Sequence, residues 1–93
     1  MWEGNGKARI LLVDDDELLL HSLKGLLQAT GYEVITACDG LQGLRATLEH
    51  APDLILLDVR MPVLDGFGML AALRANAETR TVPCVVLTAR DDR

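Results

Sequence analysis

Apolar and polar positions alternate along this chain in two rhythms, and their succession predicts the architecture. Residues Arg9 to Val13, "RILLV", form a short continuous apolar run that ends at acids, the pattern of a strand buried on both faces. The following stretch, "DELLLHSLKGLLQATG", has a helical period. Leu19, Leu23, Leu26, Leu27 and Thr30 fall on one predicted inner stripe, His21, Lys24 and Gln28 face away, and Gly31 stands at the stop position. "YEVITAC" reads as a second strand, with Tyr32, Val34 and Thr36 alternating against Glu33 and Ile35. Asp39 and Gln42 have the spacing of an N-cap and its reciprocal partner. Leu41, Leu44, Leu48 and Ala51 then repeat at helical spacing until Pro52. "DLILL" is a third strand, delivered straight into Asp58. The turn "RMPVL" leads to Asp65, a cap and turn residue for the helix "GFGMLAALRAN", with Phe67, Leu70 and Leu73 expected inside. Pro83 opens a last apolar strand, "PCVVLT".

The order is therefore β-α-β-α-β-α-β, which implies right-handed crossovers and a parallel sheet with helices on both faces. At 93 residues the chain suits one domain, and no repeat, linker or low-complexity tract interrupts it. Residues 1–7 read as a flexible leader before a domain over 8–93. Aromatics are only 3% of the chain, so the core must come from Leu, Val, Ile and Ala, and the stacking surfaces of a single-strand nucleic-acid binder are lacking. A net charge of −5 also disfavours direct nucleic-acid binding. Cys38 and Cys84 lie in strand segments, where reduced thiols acting as small core hydrophobes are the expected state. No apolar run approaches membrane-spanning length and the start lacks a hydrophobic signal core, so a cytoplasmic location is expected.

The candidate chemistry lies where the strands end. Asp14 and Asp15 follow the first strand, Asp58 the third and Thr88 the fourth, and doubly wound sheets bind ligands beyond those carboxyl ends. If the first and third strands are neighbours, the three carboxylates converge and repel one another. A hard divalent cation resolves that conflict, and magnesium suits a site of a few carboxylates, waters and a phosphate oxygen. An aspartate so placed is a competent phosphoryl acceptor, with the Thr88 hydroxyl able to hydrogen-bond a phosphoryl oxygen. Asp16 reads as the cap of the first helix, where negative charge is favoured; His50 sits near the end of the second, where a cation would suit the dipole.

These segments resemble the receiver domains of two-component response regulators. "ILLVDDDELL" is similar to the family's acidic opening, "DLILLDVRMPVLDG" to its phosphoacceptor segment and "PCVVLTAR" to its Thr-Ala segment, in the right order and spacing over residues 8 to 93. The resemblance implies a flavodoxin-like doubly wound α/β sheet with strand order 2-1-3-4. It further implies phosphorylation of Asp58, magnesium on Asp15, Asp58 and the backbone carbonyl of Arg60, Asp14 assisting through water, and Thr88 contacting the phosphoryl group. Arg60 and Arg90 take the positions that tune phosphoryl lifetime in such domains. The implied partner is a sensor histidine kinase or phosphotransfer protein. The chain departs from the pattern by ending before the family's fourth helix, its lysine-bearing fifth strand and its fifth helix, so it is expected to be a truncated receiver. The outer side of the last strand, with Val85, Val86 and Leu87, is then an edge open to self-association. Two other readings stay open: a phosphorylation-independent interaction module with this fold, and a magnesium-dependent phosphohydrolase, for which Asp14-x-Asp16 has the required acid spacing.

Overall fold

The computed structural model describes residues 7–58 and 66–87. Thr88, Arg60, Arg90 and Asp65, and the leader apart from Lys7, lie outside the described residues. Four strands and three helices alternate: β1 (Arg9–Val13), α1 (Glu17–Ala29), β2 (Glu33–Ala37), α2 (Gly40–His50), β3 (Leu54–Asp58), α3 (Gly66–Ala75) and β4 (Cys84–Leu87). The strands are parallel and lie in the order β2-β1-β3-β4, as the resemblance implies.

Each strand in the middle of the sheet sends alternate residues to opposite faces. On one face Ile10, Leu12 and Val34 meet Leu20 of α1, with Leu23, Leu27, Leu54 and Leu56 packed around them. On the other, Leu11, Val13, Ile55 and Leu57 meet Met69 and Leu73 of α3, with Leu44 and Ala46 of α2 alongside. Cys38 packs against the first cluster and Cys84 against the second, so the two thiols belong to opposite sides of the sheet. Arg9 ties the amino ends of the strands together. Its N–H donates to Asp53 Oδ2 at 2.8 Å, its Nε donates to Glu33 Oε1 at 3.2 Å, and its guanidinium also donates to the His50 carbonyl.

The helix ends fall where capping chemistry puts them. Asp16 Oδ1 accepts the Leu19 N–H at 3.1 Å, and Asp39 Oδ1 accepts that of Gln42 at 2.8 Å. Gln42 reciprocates through the Cys38 N–H, one residue before the cap. Gly31 takes a φ of 105°, the left-handed geometry that favours glycine after a helix.

The inner faces of the helices match those expected only in part: Leu23, Leu27, Leu44 and Leu73 pack inward, but other positions do not. Leu20, not Leu19, is buried in α1, while Leu19, Leu26 and Thr30 face solvent. In α2 the buried positions are Gly40, Gly43 and Thr47, and Leu41 and Leu48 are exposed. In α3 Met69 takes the place expected of Phe67, which is 61% exposed. In α1 leucines occupy several sides, so their spacing alone does not fix the phase; in α2 they form one stripe, but that stripe is not the innermost one. The close approach of α2 selects its small residues for the inner face. β4 also departs from a fully buried run, because Val85 and Leu87 are exposed while Val86 packs against the inner cluster.

Candidate functional site

Register places the acids. Val13 pairs with Leu57 across the β1–β3 ladder, so the residues that follow them, Asp14 and Asp58, emerge side by side at the carboxyl edge of the sheet. Asp15 stands next along the chain. One carboxylate oxygen from each of Asp14, Asp15 and Asp58 lies within 4.8 Å of the others. Asp14 is 7% exposed and Asp58 5%, while Asp15 is open to solvent. The spatial convergence expected from the strand ends is therefore present. It includes two of the three residues of the implied metal set, together with Asp14.

Local backbone geometry holds Asp14 in place. Its N–H donates to the Ala37 carbonyl at 3.1 Å, anchoring the end of β1 to the end of β2. Its Oδ1 accepts the Asp16 N–H at 3.0 Å, the two-residue reach of an Asx turn. Reading the sequence for caps alone passed over this second task of the Asp14-x-Asp16 spacing. Burial pushes the Asp14 carboxyl above its ordinary range. The Asp16 N–H bond opposes that rise, and the charges of Asp58 and Asp15 add to it.

The donor set is all oxygen, anionic and open on the Asp15 side. That chemistry fits a hard divalent cation with part of its water shell retained, because such an ion relieves both the desolvation and the mutual repulsion. Among the described residues, no other group of three or more His, Cys, Asp or Glu side chains has this convergence. Neither histidine takes part: His50 lies at the far end of α2, beside Glu49 at 3.6 Å.

Comparison with known proteins settles the family. The response regulator receiver domain matches residues 10–93. The chain belongs to the response regulator receiver domain family. This receiver is 50% identical over 93 residues to the transcriptional regulatory protein PrrA of Mycobacterium tuberculosis, covering 97% of its own length and 39% of that protein. It is 46% identical to the response regulator PleD of Caulobacter vibrioides over 86 residues, 92% of this chain and 19% of PleD. The chain thus spans less than half the length of these relatives. Among solved structures, the chemotaxis protein CheY4 of Vibrio cholerae superposes with a TM-score of 0.85 at 35% identity, covering 92% of this receiver and 72% of that chain. The receiver domain of the sensor histidine kinase PA1611 from Pseudomonas aeruginosa, solved with a magnesium ion coordinated in its active site cleft, gives a TM-score of 0.85 at 37% identity over 90% of this receiver and 69% of that chain. The fold is the flavodoxin-like one that these receivers share. No helix among the described residues is long and apolar enough to cross a membrane.

Proposed function

We propose that the chain is the phosphoacceptor module of a two-component phosphorelay, and that Asp58 accepts the phosphoryl group. The carrying observation is the meeting of two buried carboxylates and one exposed one within 4.8 Å at the carboxyl edge of the sheet. In this reading Asp15, Asp58 and the backbone carbonyl of Arg60 hold magnesium, and Asp14 acts mostly through bound water. Magnesium supplies charge neutralisation at the incoming phosphoryl oxygens. An Asp58 oxygen forms the new O–P bond, the P–N bond of a donor phosphohistidine breaks, and the histidine leaves on the kinase or phosphotransfer protein. The Thr88 hydroxyl contacts a phosphoryl oxygen of the product. Residues 8–93 constitute the receiver unit behind a leader over 1–7, and the module works in the cytoplasm.

Asp16 weighs against the hydrolase alternative. Its side chain is engaged at the head of α1 with the Leu19 N–H, rather than left available as an acid-base group. The test is incubation of the purified chain with magnesium and acetyl phosphate, read by intact mass. A lasting phosphoryl adduct on the parent that is lost in Asp58→Ala is the expected result. Multiple-turnover phosphate release identifies a hydrolase instead, and neither adduct nor turnover identifies a phosphorylation-independent interaction module.

A further inference from the structure

Helix α2 reaches the sheet through a position with no side chain. A β-carbon placed on Gly43 would lie 2.9 Å from Met69 Sδ, 3.0 Å from Met69 Cε and 3.0 Å from Val13 Cγ2. These are closer than carbon atoms normally approach, so the neighbours would have to give way. Met69 is fully buried and Val13 is 1% exposed, so neither borders solvent into which it could move. Val13 is also β-branched, and its methyl groups are stiff about the first side-chain torsion.

The contact lies directly beneath the acids. Val13 immediately precedes Asp14, and its register partner Leu57 immediately precedes Asp58. Val13, Leu57 and Met69 belong to one buried cluster with Ala37. A second connection runs through the backbone. Ala37 accepts the Asp14 N–H at 3.1 Å, and two residues later Asp39 caps α2 through the Gln42 N–H at 2.8 Å. The seating of α2 therefore bears on Asp14 from below, through Val13, and from the side, through Ala37.

We propose that Gly43, seated against Val13 and Met69, is a positioning residue for the carboxylate site, fixing the depth at which α2 packs and so the separation of Asp14 and Asp58. The inference rests on the magnesium-dependent phosphoacceptor reading above. A magnesium site demands near-octahedral geometry, which makes it sensitive to small shifts of its carboxylates. Helix propensity runs the other way: alanine in a helix interior is favoured over glycine, so a purely local account expects Gly43→Ala to be harmless or helpful.

The experiment compares the 93-residue parent with Gly43→Ala, Met69→Leu and the double variant. Leucine conserves volume and has no atom at the methionine Cε position, while the contact with Val13 stays in place. Magnesium affinity is measured by calorimetry, adduct formation from acetyl phosphate at saturating magnesium by intact mass, and the thermal midpoint alongside. Gly43→Ala is expected to weaken magnesium binding and slow adduct formation by roughly 3- to 10-fold, as small misplacements of reacting groups do. Met69→Leu alone stays near the parent, and the double variant recovers part of the loss. Parent-like magnesium binding and phosphorylation in Gly43→Ala overturn the proposal, whatever its midpoint. Loss in Gly43→Ala without recovery in the double variant also overturns it, since that marks general loosening of the core. Should Gly43→Ala not fold, the double variant must fold and bind magnesium, and its failure to do so counts against the proposal. A parent that takes up neither magnesium nor phosphoryl overturns the reading of the site itself, a result separate from any difference among the variants, and this inference falls with it.

Discussion

Asp14 carries a buried carboxyl beside two others, and its proton is held more tightly in the folded chain than in the unfolded one. Folding therefore takes up a proton between the ordinary value near 3.8 and the raised folded value. The sign follows: in the absence of divalent cations stability falls as pH rises through that window, and the cost is fully present above it. Asp14→Asn removes the charge yet keeps an oxygen for the Asp16 N–H. At neutral pH without magnesium this variant should melt at a higher temperature than the parent, and the gap should close on acidification below the unfolded value. On the proposed reading magnesium binds the folded state alone, and it should then raise the midpoint of the parent more than that of the variant. A variant no more stable than the parent at neutral pH would show that the acid cluster stores no repulsion.

At the scale of single elements, strands were legible in the sequence and helix faces only in part: Leu23, Leu27 and Leu73 turn inward as their spacing implied. Short apolar runs ending in acids, such as "RILLV" and "DLILL", leave one reading, because a parallel strand buried on both faces needs no polar phase. The convergence of Asp14 and Asp58 was legible for the same reason: each follows its run directly, and pairing of Val13 with Leu57 does the rest. Helix phase is a weaker signal when leucines occupy several sides, as in α1, and leucine spacing gives no sign that small residues such as Gly43 form the innermost face of α2. Beyond the strand ends, Thr88 rested on its position after the last strand and Arg60 on resemblance alone. Gly25 of α1 and Gly43 of α2 now separate propensity from packing. A β-carbon on Gly25 of α1 would meet nothing within 4 Å, so Gly25→Ala should stabilise by about 0.5–1 kcal/mol in chemical unfolding. Removing the α2 cap with Asp39→Ala should cost about 1 kcal/mol, because the Gln42 N–H loses its acceptor. An unstable Gly25→Ala protein would mean that α1 is packed on a side now open.

On the scale of the whole molecule the two faces of the sheet are unequally covered. α2 and α3 share one face, whereas α1 is the one described helix on the other. Its cover thins from β1 towards β4: Ile10 and Leu12 are buried, Leu54 and Leu56 half-buried, and Val85 and Leu87 are 47% and 41% exposed. Among the described residues β4 is bonded to β3 alone, so its outer backbone groups and the apolar side chains above them form one continuous edge. Edges of this kind recruit further strands unless charge or covering prevents it. The 93-residue chain should therefore self-associate through β4, with a weight-average mass that rises with concentration in sedimentation equilibrium. Val85 pairs with Leu56 and points to the thinly covered face, so Val85→Lys puts a charge on that edge without touching the acid cluster. It should shift the protein to monomer while leaving the proposed phosphoryl uptake at Asp58 as in the parent. A parent that stays monomeric at high concentration would show that β4 is already covered. A Val85→Lys protein that still associates would move the contact away from this edge.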